Sequence, residues 1–381
     1  MPDKFLPYGL QSVDEEDIAR VVEVLRSPYL TTGPAVAEFE KALCTSTGAS
    51  YAVALNSGTA ALHAAYFGAG LSRGDDIVTT PLTFAATANA ARYLGANVRF
   101  ADVEADTGNI DPDAVAAALT DRTRLISVVD FTGQPADYDR IDPIARSQGI
   151  PVIADAAHSL GATYHGRSVG TLALASTLSF HPVKAITTGE GGAVVSSDRE
   201  LAGKVARFRT HGIEREPEKL QSNEGPWWHE MHDLGFNYRL TDIQSVLGTN
   251  QLRRLAAFVT RRRAIAKVYD ERLADLSALQ LPVVRDGVEP AWHLYVLRTR
   301  DASRRRAFFE RLRALQLGVQ VHYIPVHYHP YYQALGFRRG QFPNAEAFYA
   351  SAVSIPIFPE LTDDDLDSSV DRIRRAAKDT L

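Results

Sequence analysis

The segment from Tyr51 to about Ser197 alternates short β-rich apolar runs with helical patterns and small-residue turns. This alternation is typical of a parallel sheet whose strands are joined by crossover helices. The helical patterns include Thr59–Phe67, Ala85–Tyr93 and Asp139–Ser147. The strand-like runs are Ala52–Leu55, Asp76–Thr80, Val98–Asp102, Arg124–Asp130, Pro151–Asp155, Ser176–Phe180 and Gly192–Ser196. We therefore predict an α/β domain with a mostly parallel seven-stranded sheet.

The sequence changes character after about Leu240. Residues 242–276 form a long Arg-rich helical pattern, which predicts an amphipathic helix pair or one long bent helix. The runs WHLYVLRT and GVQVHYIPV are predicted as strands, and Thr362 as the N-cap of a terminal helix with apolar positions at Leu366, Val370 and Ile373. We predict a large domain over 1–245 and a smaller C-terminal α/β domain over 246–381.

Composition excludes several classes of protein. The chain has 41 Lys plus Arg against 46 Asp plus Glu, a net charge of −5, and the two signs are interleaved, which argues against a nucleic-acid partner. Cys44 is the only cysteine, so no internal disulfide forms. The apolar stretches are shorter than the roughly 18 residues that a membrane span needs, and the start has no signal-peptide pattern. We expect a cytoplasmic enzyme with no membrane partner.

Two strand ends carry small polar or aromatic residues. The turn Asn56–Leu62 opens into a helix, where backbone N–H groups and hydroxyls can hold a phosphate; the alternative is an ordinary Ser or Thr helix cap. Phe84 follows the next strand at the sheet edge where α/β proteins bind ligands. It can lie against a planar cofactor, or it can belong to the core.

Two ionisable residues follow at later strand ends. Asp155 ends the run PVIAD, where a buried carboxylate needs a cationic or hydrogen-bonding partner. The alternative is that Asp155 caps a helix over AAHSLGA. His158, three residues further, can face the same ligand or be a satisfied histidine. Lys184 is enclosed by Pro, Val, Ala and Ile, and desolvation makes an amine a usable nucleophile; the alternative is a lysine extending from a surface turn.

Taken together, these positions provide the parts of a pyridoxal phosphate site: a phosphate anchor, a stacking ring, a carboxylate for the pyridine nitrogen and an amine for the Schiff base. The motifs that carry them resemble those of the DegT/DnrJ/EryC1/StrS sugar aminotransferases, which are fold type I enzymes dependent on pyridoxal phosphate. The resemblance covers nearly the whole chain. The motifs are SGTAAL, PLTFAATANA, ADAAHSLGA, SFHPVKAITTGEGGAVV, GFNYRLTDIQSVLG and VHYIPVHYHPYY.

The resemblance assigns roles around the cofactor ring. Lys184 is the Schiff-base lysine, Asp155 the partner of the pyridine nitrogen, and Phe84 the stacking residue. His158 is assigned to the cofactor site and stands where many family members carry glutamine. Because dehydratases of the family replace the lysine with histidine, Lys184 argues against that branch.

The phosphate and subunit contacts are also implied by the resemblance. Gly58, Thr59 and Ser179 hold the cofactor phosphate. Asn237 reaches the phosphate of the neighbouring subunit's cofactor, which implies a homodimer with shared active sites.

The resemblance further implies the substrates. The amino donor is L-glutamate, and the acceptor is C4 of a UDP-linked 4-keto-6-deoxy sugar, for an amino sugar such as pseudaminic acid. Amination at C3 of a dTDP-ketosugar is the alternative. The substrate contacts are expected at Tyr8, Arg239, His322 and Tyr323, and the pair Trp227–Trp228 either joins them or packs in an interface.

Two further hypotheses stay open. The histidines of 322–329 can form a metal site, but their spacing matches no familiar zinc motif and no cysteine accompanies them, so we predict no metal. The chain can also be a non-catalytic binding or regulatory protein that keeps the fold. The joint presence of Lys184, Asp155, Phe84 and Thr59 argues against it.

Overall fold

The structure is a computed structural model that describes residues 4–381. Fifteen strands lie in this range. In chain order they are β1 (Tyr51–Leu55), β2 (Asp76–Thr79), β3 (Asn97–Phe100), β4 (Thr123–Val129), β5 (Val152–Asp155), β6 (Thr163–Tyr164), β7 (Arg167–Ser168), β8 (Ala175–Ser179), β9 (Gly192–Ser196), β10 (Ile213–Glu214), β11 (Glu230–Met231), β12 (Leu279–Gln280), β13 (Val288–Glu289), β14 (Tyr295–Thr299) and β15 (Ala352–Ile355).

The seven predicted strands form one sheet in the order β1-β9-β8-β5-β4-β2-β3. The pairs β8-β5, β5-β4, β4-β2 and β2-β3 are parallel, whereas β9 is antiparallel to both of its neighbours. The predicted seven-stranded, mostly parallel sheet is therefore confirmed. Neighbouring residues such as Leu125 and Ile126 belong to apolar clusters on opposite sides, so the sheet is buried on both faces.

Thirteen α-helices lie in the described range. They are α1 (Glu15–Leu25), α2 (Pro34–Thr47), α3 (Gly58–Gly68), α4 (Ala86–Tyr93), α5 (Pro112–Ala118), α6 (Tyr138–Ser147), α7 (Arg199–Arg209), α8 (Asp242–Arg253), α9 (Leu255–Leu273), α10 (Arg305–Ala314), α11 (Pro330–Ala334), α12 (Pro343–Ser351) and α13 (Asp363–Thr380). Short 3₁₀ helices occupy Phe131–Gly133, Val169–Thr171, Pro217–Lys219, Ala302–Arg304 and Val326–Tyr328.

The long Arg-rich pattern is a helix pair, α8 and α9, separated at Arg254. Thr241 caps α8 in a capping box with Gln244, so the start of this helix is fixed by its own sequence. Thr362 caps α13 by accepting a hydrogen bond from the Asp365 amide, as predicted, and three aspartates occupy its first turn.

The C-terminal part contains a small antiparallel sheet, β12-β14-β15. The prediction for WHLYVLRT is confirmed by β14, but the strand predicted over GVQVHYIPV is wrong. Only Gln320 in this run makes a bridge, to Ser354 of β15. After that bridge the backbone leaves the sheet edge and turns toward the large sheet, and β15 is the third strand instead.

The hydrophobic cores divide within α9. Its first half, with Leu255, Phe258 and Val259, packs into the core of the large sheet, and its second half, with Tyr269 and Leu273, packs into the core of the C-terminal unit. The domain boundary at residue 245 stays a prediction. No helix between residues 4 and 381 is both long and apolar enough to cross a membrane.

Candidate active site

A cavity of about 440 Å³ lies at the carboxyl ends of the large-sheet strands, where α/β proteins bind ligands. One side, the sheet-edge wall, comes from the ends of β1, β2, β5 and β8 and from the segments that follow these strands. The other side, the loop wall, comes from segments outside that sheet. The sheet-edge wall comprises Ser57, Gly58, Thr59, Phe84, Asp155, His158, Ser179 and Lys184; the loop wall comprises Tyr8, His293, His322 and Tyr323.

The turn after β1 is both a helix cap and a close-packed cradle. Ser57 Oγ accepts a hydrogen bond from the Ala60 amide at 3.1 Å, so the cap interpretation is correct for this hydroxyl. A Cβ at Gly58 would lie 2.9 Å from Ser179 Cβ, and one at Gly192 would lie 2.4 Å from Ser57 O. The glycines thus bring the start of α3 against Ser179, where its free N–H groups suit an anion.

Asp155 is a buried carboxylate, 6% exposed, at the end of β5. Thr87 Oγ1 donates to it at 2.7 Å and the Ala157 amide at 3.3 Å. No lysine, arginine or histidine among residues 4–381 lies within 4.0 Å of it. Burial raises its pKa, while these hydrogen bonds and Lys184 oppose the rise. The N-cap alternative is wrong, because turns follow Asp155 in place of a helix.

The Phe84 side chain is 62% exposed and lines the cavity, so the core alternative is wrong. The ring centroids of Phe84 and Tyr323 are 6.1 Å apart. An exposed aromatic ring in a cavity is free to lie against another planar group.

Lys184 is half-buried in the loop after β8, and burial lowers the pKa of its amine to about 8, an effect that Asp155 opposes and Arg262 reinforces. It lines the cavity, which excludes the alternative of a lysine extending from a surface turn. Its Nζ lies 3.5 Å from His293 Nε2. A larger fraction of this amine is neutral at physiological pH than of an ordinary lysine.

The loop wall reaches back to the sheet edge through Tyr323. Its hydroxyl lies 3.0 Å from His158 Nε2, so His158 faces the cavity as one of the two interpretations predicted. His322 Nδ1 lies 2.8 Å from Ser354 Oγ, and its ring contacts that of Tyr8 at a centroid distance of 5.6 Å. These contacts attach the loop to both the small sheet and the N-terminal segment.

The histidines of 322–329 do not converge. His322 lines the cavity, whereas His327 is fully buried and lies 3.0 Å from Glu346 Oε1. Tyr328 also donates to Glu346. His327 thus serves to hold the loop in place.

Asn237 and Arg239 are not among the residues that line this cavity. Both lie beside the end of β1 and the turn that follows it. Asn56 Nδ2 donates to the Asn237 carbonyl at 3.4 Å, and Arg239 forms a backbone bridge with Leu55. Their contacts with cofactor and substrate stay predictions. Trp227 is 71% exposed and lies outside the cavity as well.

Sequence reasoning missed two residues of the site. Thr87 lies within the motif PLTFAATANA, and its position one helical turn after Phe84 was the available signal. His293 lies within WHLYVLRT, which was interpreted only as a strand, so its histidine was not considered as a site residue. Nothing local in that run indicates that the histidine reaches Lys184.

These features define a site that fits a phosphorylated aromatic cofactor with a ring nitrogen. The cradle at Gly58 suits a phosphate, Phe84 is free to face a ring, and Asp155 is a buried carboxylate that forms no salt bridge within residues 4–381. The profile of the DegT/DnrJ/EryC1/StrS aminotransferase family matches residues 11–374. The chain belongs to this family and is a sugar aminotransferase.

Individual relatives align over almost the full length. The UDP-4-amino-4,6-dideoxy-N-acetyl-beta-L-altrosamine transaminase of Campylobacter jejuni is 41% identical over 362 residues, 93% of each chain. The structure of Helicobacter pylori PseC, an aminotransferase involved in the biosynthesis of pseudoaminic acid, superposes with a TM-score of 0.92 at 32% identity, covering 99% of this chain and 100% of the other. The structure of the sugar aminotransferase Spr1654 from Streptococcus pneumoniae in its PLP-form superposes with a TM-score of 0.93 at 28% identity, covering 99% of this chain and 100% of the other.

Proposed function

We propose that this protein transfers the amino group of L-glutamate to C4 of a UDP-linked 4-keto-6-deoxy sugar, with pyridoxal 5′-phosphate as cofactor. The product would be a precursor of an amino sugar such as pseudaminic acid. The observation that carries the proposal is that Lys184, with a pKa lowered to about 8, shares one cavity with the buried carboxylate of Asp155. The relatives with similar sequences and structures support the choice of sugar.

The cofactor is pyridoxal phosphate, which when bound withdraws electrons from the substrate carbon that carries the amino group. The first turn of α3, with Gly58 and Thr59, and the hydroxyl of Ser179 would bind its phosphate. Phe84 would lie against one face of its ring. Asp155 would hold a proton on the ring nitrogen, because a buried carboxylate strongly favours a cationic partner.

Lys184 would move the reaction's proton. Whenever it is not joined to the cofactor, its Nζ would be a free amine in the cavity, with a pKa of about 8 that lies close to physiological pH. General acid–base catalysis is most effective when the pKa of the group lies near the operating pH. The same amine can therefore take a proton from one carbon and return it to another.

The loop wall would bind the sugar. Tyr8, His322 and Tyr323 supply hydroxyl and imidazole groups opposite the cofactor side of the cavity. Burial lowers the pKa of His322 to about 4, so this imidazole is neutral and can donate or accept hydrogen bonds from sugar hydroxyls. Neutral groups of this kind suit an uncharged sugar ring.

We also propose that the enzyme is a cytoplasmic homodimer. Leu234 is 81% exposed, and Phe236 and Asn237 close to it are exposed as well, so a partly apolar surface segment lies next to the turn after β1. A second subunit covering this segment would carry its own Asn237 toward a neighbouring cofactor phosphate.

An absorbance spectrum of the purified protein tests the function directly. Pyridoxal phosphate joined to a lysine amine absorbs near ~420 nm. We expect this band to disappear on addition of L-glutamate and to return with one UDP-linked 4-keto-6-deoxy sugar from a panel that also contains dTDP-linked 4-keto-6-deoxy sugars and dTDP-linked 3-ketosugars. Return of the band with a 3-ketosugar alone would overturn the C4 assignment, and absence of any band after adding the cofactor would indicate a binding protein without catalysis.

A further inference from the structure

His293 is a buried histidine that none of the roles above includes. It is 6% exposed, and its ring lies against that of His158 at a centroid distance of 4.3 Å. Its Nε2 lies 3.5 Å from Lys184 Nζ, while its Nδ1 is buried with no hydrogen-bond partner in the part of the chain that the structure describes.

The backbone around His293 is held by two distant elements. Arg262 of α9, 2% exposed, donates from Nη1 to the carbonyl oxygens of Trp292, His293 and Ile357 at 3.2, 3.4 and 2.7 Å. Committing a buried guanidinium to three carbonyl groups fixes this backbone firmly, because a buried charge is costly unless its donors are used.

The second element is the turn after β4. Gly133 has a φ of +102°, and a Cβ there would lie 2.8 Å from His158 O and 2.9 Å from both Trp292 N and His293 N. The Ala291 amide donates to Gly133 O at 2.9 Å, and Trp292 adopts a φ of +50°, which a bulky residue rarely does. The turn therefore locks the backbones of both histidines against each other.

A purely packing role does not explain a histidine here. A buried nitrogen without a partner lowers stability, and an apolar ring would fill the same volume without that cost. The arrangement instead places one neutral nitrogen beside the amine of Lys184. Burial lowers the pKa of His293 well below its usual range, and Lys184, His158, Arg262 and His322 reinforce the shift, so the imidazole stays uncharged.

We propose that His293 is a positioning residue whose Nε2 accepts a hydrogen bond from the protonated amine of Lys184 whenever that amine is free. This inference rests on the proposed function, because it concerns the period when substrate has displaced the lysine. The hydrogen bond would keep Nζ inside the cavity and ready to transfer its proton, since a free lysine side chain otherwise has many rotamers.

Two substitutions separate the hydrogen bond from the ring. His293→Phe keeps a ring against that of His158 and removes Nε2, whereas His293→Gln places an amide near the position of Nε2 and removes the ring. If the hydrogen bond to Nε2 positions Lys184, His293→Gln should keep the labelling midpoint and kcat of the parent, and His293→Phe should not. If only the packing of the ring contributes, His293→Phe should resemble the parent more closely than His293→Gln does.

The first measurement is trinitrophenylation of the full chain freed of cofactor, from pH 6 to pH 10, with each lysine resolved by peptide mass spectrometry. Lys267, whose side chain is 77% exposed, serves as the internal reference. Because a hydrogen bond to the ammonium favours the charged form, His293→Phe should lower the midpoint for Lys184 by about one pH unit and raise its labelling at pH 7 by about three- to fivefold.

His293→Gln should leave that midpoint within ~0.3 unit of the parent value, since its amide oxygen also accepts a hydrogen bond. The groups facing Lys184 from the other elements, Asp155, Arg262, His158 and His322, are the same in both variants. An unchanged midpoint in His293→Phe, or equal shifts in both variants, overturns the proposal. Thermal unfolding of each variant confirms that it is folded.

The second measurement is steady-state kinetics of the holoenzyme. His293→Phe should lower kcat about tenfold with KM for either substrate changed less than about threefold, because the amine is misplaced only after the substrate is bound. His293→Gln should recover most of the rate. If no ketosugar is a substrate, the proposed function fails, while the labelling midpoint still decides whether His293 binds Lys184.

Discussion

The two walls of the cavity are built in different ways. Each residue of the sheet-edge wall lies at the end of a strand of the seven-stranded sheet or in the segment that follows it, so its position is set by local sequence and by strand pairing. The loop wall gathers Tyr8, His293 and the pair His322–Tyr323 from three segments that are remote in sequence. In the proposed function, the sheet-edge wall supplies the groups that bind and activate the cofactor, whereas the loop wall supplies the sugar contacts together with His293, which positions Lys184.

Replacing Lys184 should give the largest effect. Lys184→Ala should reduce turnover by at least ~10⁴-fold, because it removes both the cofactor-linking amine and the proton carrier. Its unfolding midpoint should equal or exceed that of the parent, since a lysine whose folded-state pKa is lowered from 10.5 to about 8 opposes folding increasingly as the pH falls between these values and fully below them. Lys267→Ala is the control, and activity above about one hundredth of the parent in Lys184→Ala would contradict the role.

Asp155→Asn should rank second, with kcat reduced by about 10²- to 10³-fold, the range seen when one preorganised electrostatic group is removed. An amide cannot hold a proton on the ring nitrogen, although it can still accept from Thr87. Kinetics with both substrates would show the loss in each half of the reaction. A loss of activity with the ketosugar alone would instead indicate that Asp155 contributes to sugar binding, like the residues of the loop wall.

Capture of pyridoxal phosphate should depend on pH through Lys184. The pKa of this amine is lowered to about 8, so its neutral fraction rises with pH and is nearly complete above pH 9. The rate of cofactor uptake by the cofactor-free chain should therefore increase about tenfold from pH 7 to pH 9 and then level off. Stopped-flow absorbance measures it, and a midpoint above pH 10 would mean that the lysine is not desolvated.

Tyr323→Phe should have the smallest effect and should act on ketosugar binding alone. It removes the hydroxyl that contacts His158, which should raise KM for the ketosugar about fivefold and leave KM for glutamate nearly unchanged. Tyr328→Phe is the matched control, because that hydroxyl donates to Glu346 away from the cavity. Equal effects of the two substitutions would show that Tyr323 only stabilises the loop.

The sheet-edge wall could be predicted because its residues follow recognisable strands. Phe84, Asp155, Ser179 and Lys184 line the cavity as expected, and the seven strands pair as one sheet. The run GVQVHYIPV misled the prediction, since alternating apolar residues favour a strand although the chain leaves the sheet after Gln320. A local pattern does not reveal whether a partner strand is available.

The sequence by itself determined the class of this protein, because the strand pattern and the motifs that resemble the family, which include Asp155 and Lys184, are all local features. Only the tertiary structure decided which residues of the loop wall face Asp155 and Lys184 across the cavity. His293 reaches Lys184 because Arg262 and Gly133 hold its backbone, and both act from elements far away in the chain. Contacts of this kind depend on how the C-terminal unit packs on the sheet, which no short stretch of sequence specifies.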